Sequence, residues 1–198
     1  MAGETIIPRW EWRCFAPSLA GLVTKAKLPP DAHARESDET YILQLAANTA
    51  DNVKIRGGAL DVKRLLATSE AGLQQWNPVL KASFPLTRSD MQAIFGKRNF
   101  ARETYSLAEF RAFVAGERDL RAVDIHKSRR GFSYGGCIAE IARVSVGDIG
   151  LDSFSLEHEE PVRVVSALSA LGLDSHANTS YPEGLIRALG LAKIPAKA

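Results

Sequence analysis

A chain of 198 residues with 45% apolar and 24% charged side chains suits one globular domain and argues against wholesale disorder. Twenty-five basic against 23 acidic residues leave a net charge of +2, so net charge gives no support to nucleic acid as a partner. The longest stretches without a charged side chain, Cys14–Thr24 and Thr40–Ala50, fall well short of the roughly 20 residues that a membrane helix needs.

At the N-terminus Ile6-Ile7 runs into Pro8-Arg9, which leaves no apolar signal core, so a cytoplasmic location is expected. Cys14 and Cys137 are too few for a disulfide framework, and Asn178-Thr179-Ser180 is a glycosylation sequon without a secretion signal. Residues 5–15 alternate after the proline and predict a strand, and Tyr41–Leu45 predicts a second. Asn52–Arg56 and Ala59–Leu65 flank Gly57-Gly58, and Val123–Arg130 and Cys137–Val144 flank Gly135-Gly136; both read as tight hairpins. Ser153–Glu159 is the last predicted strand. Helices are expected over Ser89–Phe95, after the capping box Ser106-Leu107-Ala108-Glu109, over 162–171 behind Pro161, and over 183–189 behind Pro182. Trp76 is expected to pack a connecting helix. The pattern predicts a single α+β domain on an antiparallel sheet, with a core over about 9–190 and a helical insertion over about 66–122.

The strands alternate between apolar and charged faces, because successive side chains point to opposite sides of a strand. Arg9, Glu11 and Arg13 oppose Trp10, Trp12 and Cys14; Asn52, Lys54 and Arg56 oppose Val53 and Ile55; Asp61 and Lys63 oppose Leu60 and Val62. Glu157 and Glu159 oppose Phe154, Leu156 and His158. An open sheet with one wet face explains such alternation. A closed barrel would instead bring Arg9, Arg13, Lys54, Arg56, Lys63, Lys127 and Arg129 into one space with Glu11, Glu140, Glu157 and Glu159. Enclosed charges are costly unless paired or met by a ligand, and a polyphosphate with a divalent metal answers both signs.

Arg9-Trp10-Glu11-Trp12-Arg13, the basic hairpin Asn52–Arg56 with Asp61-Val62-Lys63, Lys127-Ser128-Arg129, Glu140, and Glu157-His158-Glu159 occur in this order over nearly the whole chain. In this the sequence resembles the CYTH-like domain of the triphosphate tunnel metalloenzyme superfamily. The resemblance implies an eight-stranded antiparallel β-barrel with helices packed outside, and members include thiamine, inorganic and RNA triphosphatases and a class of adenylate cyclase. It implies a metal-dependent hydrolase of a small triphosphate, or a non-catalytic polyphosphate- or nucleotide-binding module of the same fold. Arg13, Lys54, Arg56, Lys63, Lys127 and Arg129 would grip phosphate, Glu11, Glu157 and Glu159 would hold Mg2+ or Mn2+, and Glu140 would be a ligand or would orient the attacking water. The departure is Arg9, where the family carries the first glutamate of its Glu-x-Glu-x-Lys signature. His33, His126, His158 and His176 show no metal-ligand spacing, and the two cysteines are expected to be inert.

Overall fold

The structure, a computed structural model, describes residues 7–29, 32, 34–46 and 51–193; His33, residues 47–50 and the tail from 194 lie outside the described residues. In chain order the elements are β1 (Arg9–Ala16), α1 (Ala20–Lys25), β2 (Ala34–Gln44), β3 (Asn52–Arg56), β4 (Ala59–Thr68), β5 (Gln74–Ser83), β6 (Leu86–Thr87) and α2 (Arg88–Phe95). They continue with β7 (Thr104–Tyr105), α3 (Leu107–Gly116), β8 (Leu120–Tyr134), β9 (Cys137–Val146), β10 (Ile149–His158), α4 (Pro161–Leu171) and α5 (Tyr181–Ala188).

Eight strands close into an antiparallel barrel in the order β1-β10-β9-β8-β2-β3-β4-β5, as the resemblance implied; β6 and β7 form a separate pair. Gly57-Gly58 and Gly135-Gly136 make the predicted hairpin turns, each pair with both φ angles positive. Outside the barrel, α2 and α3 bring Met91, Phe95, Phe110 and Val114 onto Ile42, Val53, Ile55, Leu60 and Val62. On the other flank α4 sets Val164, Leu168 and Leu171 against Trp12, Ala139, Phe154 and Leu156. The two tryptophans of β1 thus face a helix and leave Glu11 and Arg13 to the interior. The capping boxes Thr87–Asp90, Ser106–Glu109 and Ser180–Glu183 start α2, α3 and α5, and a left-handed Gly172 stops α4.

Three expectations need correction. Trp76 belongs to barrel strand β5, not to a connecting helix, so residues 66–122 are not wholly helical. Pro78 hides this strand: it lacks a ladder N–H, and it faces Lys63 beside a register shift in the β4–β5 pairing. Strand β2 starts at Ala34 rather than Tyr41, because eleven successive pairings with β8 carry the charged run Arg35–Glu39 into the sheet. Helix α1 had no counterpart in the reading of the sequence.

The fifth helix is placed differently from the others. Tyr181, Leu185 and Ile186 pack with Tyr41, Leu43, Val123, Ile125, Ala142, Val144 and Val146, and Phe15 joins them. These strand residues share the inward parity of Arg13, Lys127 and Glu140. Helix α5 therefore fills one end of the barrel. Its approach to β1 is so close that a Cβ on Gly184 would lie 2.4 Å from the Phe15 ring.

Candidate functional site

Above this apolar floor the interior is charged. A cavity of about 160 Å³ is lined by Glu11, Arg13, Lys54, Arg56, Lys63, Lys127, Arg129, Glu140 and Glu157, with Tyr41, Asn52, Asp61 and Tyr181. Nine of the ten residues expected at the site meet here. The tenth does not: Glu159 lies one residue past the end of β10 and is exposed, so its place in the alternation ends with the strand. Arg9 is exposed as well, and borders a smaller recess with Glu11, Lys63 and Glu157.

On one wall Lys127 Nζ lies 3.0 Å from Glu140, and Arg13 and Arg129 approach the same carboxylate to 3.8 Å. Burial alone would raise the Glu140 pKa, but Lys127, Arg13 and Arg129 outweigh it and hold the group below the ordinary carboxylate range. Glu39, buried and absent from the expected set, is met by Lys54 at 3.3 Å and Arg56 at 3.7 Å. Against burial, Lys54, Lys127 and Arg56 lower its pKa too. The cations bear the complementary cost. Burial pulls Lys54 down to about 8, only partly countered by Glu39, and pulls Lys127 below its ordinary value. Arg13 stays firmly charged: burial opposes its charge, but Glu11, at 2.8 Å from Nε, leads the groups that raise its pKa.

The wall of β1 and β10 is different. Glu11 and Glu157 face each other directly in the ladder. Burial raises the Glu157 pKa, and the neighbouring Glu11 raises it further, with Lys63 and Arg13 too weak to compensate. Among the described residues no cluster of three or more His, Cys, Asp or Glu could hold a metal unaided.

Aromatic rings shape the floor. Tyr41 stacks on Tyr181 at 5.1 Å, and the Arg13 guanidinium and Lys127 ammonium lie 4.6 and 4.5 Å from the Tyr181 ring centre. The position of β1 depends on Asn178, a side chain outside the expected site set. The β1–β5 ladder covers just Arg9 to Glu11, and Asn178 takes over from there. The Arg13 N–H donates to Asn178 Oδ1 at 2.8 Å, while Asn178 Nδ2 donates to the carbonyls of Glu11 and Gly72 at 3.1 and 3.0 Å. Thr179 N–H adds a bond to the Arg13 carbonyl at 2.8 Å. Glu39 and Tyr41 were recoverable by running the inward parity of β2 back from Leu43; Asn178 had no such signal.

Among the remaining candidates, His158 Nδ1 accepts the Glu160 N–H, and His126 lies exposed between Glu36 and Asp38. Both cysteines are free, and burial raises both thiol pKa values, Cys14 to about 11. No helix among the described residues is long and apolar enough to cross a membrane.

No family model and no curated protein matches this chain. Solved structures do. A Hippeastrum adenylyl cyclase candidate, described as revealing a dominant triphosphatase activity, is 16% identical with a TM-score of 0.52, over 92% of this chain and 96% of that one. A conserved hypothetical protein from Pyrococcus furiosus is 16% identical with a TM-score of 0.50, over 88% and 98%. At such identity the likeness establishes the fold and nothing beyond it.

Proposed function

We propose that this chain, which has the CYTH-like triphosphate-tunnel fold, is a metal-dependent hydrolase of a small triphosphate, inorganic or organic. The observation that carries the reading is the division of the lumen. Six cations line it together with a pair of opposed carboxylates, Glu11 and Glu157, that lack a full set of counter-charges. An anion alone would answer the cations and leave the carboxylates crowded. A metal-bound polyphosphate answers both.

The donor set fits Mg2+ or Mn2+ shared with the substrate, since such ions take few protein carboxylates and fill their remaining positions with phosphate oxygens and water. Glu11 and Glu157 would hold the ion, which supplies positive charge against the phosphate oxygens when bound. Arg13, Lys54, Arg56, Lys63, Lys127 and Arg129 would bind and align the phosphates, the main work that phosphoryl transfer asks of a protein. Glu140, kept ionised by Lys127, is suited to orient the attacking water by accepting its hydrogen bond.

Two positions favour a second reading, a polyphosphate-binding module without turnover. Arg9 stands where the family signature has a carboxylate, and Glu159 lies exposed beyond the end of β10, so the acidic wall keeps only two groups. The test is phosphate release from tripolyphosphate, ATP and thiamine triphosphate with Mg2+ or Mn2+, beside calorimetric binding. Metal-dependent release supports the hydrolase; binding without release supports the module; neither removes both.

A further inference from the structure

The lumen has a closed end and an open end. At the closed end, the side chains between the strands are Phe15, Leu43, Val123, Val144, Leu185 and Ile186, all apolar, and Leu43, Val144 and Leu185 have no exposure. No phosphate passes there without unseating α5. The cavity above has a volume of about 160 Å³. Its other side continues outward, because Arg129 and Glu140 also border a cleft of about 680 Å³ together with Arg35, Phe132 and Ile138.

The charge follows the same axis. Arg13 and Lys127, seated on the Tyr181 ring, are the cations nearest the floor and are almost fully buried. Arg56 and Arg129 are more open, with side chains 39% and 24% exposed. Arg13 and Lys127 are themselves paired with Glu11 at 2.8 Å and Glu140 at 3.0 Å, so the blocked end, more than net charge, sets the direction from which a phosphate chain can enter.

We propose that the site reads chain ends: a linear triphosphate or polyphosphate enters terminal phosphate first, that phosphate rests over Tyr181 beside Arg13 and Lys127, and the remainder leaves past Arg129 and Arg35. This rests on the anionic-ligand reading above and adds the direction of entry. A phosphate chain without a free end is excluded, because neither a ring nor an esterified terminus fits between the α5 floor and the basic walls.

Calorimetry on the full chain tests it with four probes: tripolyphosphate, cyclic trimetaphosphate, a dinucleoside pentaphosphate with both ends esterified, and linear polyphosphate of two defined lengths. Tripolyphosphate should bind, and Lys54→Ala should weaken it. The ring and the doubly esterified chain should bind at least about tenfold more weakly, a difference of about 1.4 kcal/mol. Each linear polyphosphate should saturate at two protein copies per chain whatever its length, one for each end. Ring or capped-chain binding within about threefold of tripolyphosphate would overturn the proposal and leave the triphosphate site standing. A copy number that grows with chain length would do the same. If tripolyphosphate itself fails to bind, both readings fall.

Discussion

The wall built from β2, β3, β8 and β9 and the wall built from β1 and β10 impose a similar cost on their carboxylates and reach opposite results. Burial is the largest influence on Glu39, Glu140 and Glu157 alike, and in each it opposes ionisation. On the first wall, Lys54, Arg56, Lys127 and Arg129 overcome that cost and keep Glu39 and Glu140 ionised. On the second, the facing partner of Glu157 is another carboxylate, and its pKa rises. The neighbours, not the depth, decide the charge state. A barrel wall with a surplus of cations is prepared for an anion, and the opposite wall is prepared for a cation.

The largest test of this contrast removes the acidic wall. Gln at both Glu11 and Glu157 keeps shape and hydrogen bonding but discards the charge. Metal-dependent phosphate release should fall at least about a hundredfold, the scale for losing an electrostatic catalytic element. Glu157→Gln alone should not lower the unfolding midpoint, because burial and Glu11 already oppose its ionisation, whereas Glu11→Gln should lower it by taking the nearest carboxylate from buried Arg13. Glu159→Gln, outside the lumen, should leave turnover unchanged. Turnover that survives in the double variant would move the metal away from this wall and break the contrast.

The two walls also differ in what holds them. The β2–β3 ladder covers four positions and the β8–β9 ladder nine, whereas β1 has only three pairings on its β5 side. Asn178 supplies the missing edge with three side-chain hydrogen bonds. Asn178→Ala should cost about 2–3 kcal/mol in urea unfolding, at roughly 1 kcal/mol for each bond lost. Because the bonds lie at Glu11 and Arg13, Mn2+ affinity should fall as well, while Asn178→Asp, which keeps the acceptor for Arg13 N–H, should retain part of the stability. A loss below about 0.5 kcal/mol would mean that the β5 ladder alone fixes β1.

What the sequence made legible follows from the same geometry. Alternation identified the inward face of β1, β3, β4 and β10, and Gly-Gly turns located the hairpins, because period two and positive φ are local properties. Glu39 escaped because the run Arg35–Glu39 resembles a solvated loop until its pairing with β8 is known. Strand β5 escaped because Pro78 and the adjoining register shift interrupt the alternation. Glu159 was misplaced because parity says where a side chain would point but not where the strand stops. The α5 floor and the Asn178 clamp depend on contacts more than a hundred residues apart in sequence, such as Tyr41 with Tyr181 and Gly72 with Asn178, and nothing local announces them.

The smallest effect is also the most diagnostic for the basic wall. Lys54 has a pKa of about 8 because burial penalises its charge and Glu39 restores only part of it. Phosphate binding needs the charged ammonium, so affinity for tripolyphosphate should be level below pH 8 and decline above it, by at most about tenfold per pH unit. Stability should move the other way. Between about pH 8 and the ordinary lysine value near 10.4, the unfolded chain binds the proton that folded Lys54 has released, so this group's contribution to stability rises with pH through that window. Comparison with Lys54→Met isolates this group: the falling affinity and the rising stability component should both disappear in the variant. Calorimetric affinities and urea midpoints from pH 7 to 10 would measure the two slopes on the same samples. A wild-type affinity that stays level to pH 10 would mean that Glu39 holds Lys54 charged throughout, and that the basic wall is balanced internally rather than poised for an anion.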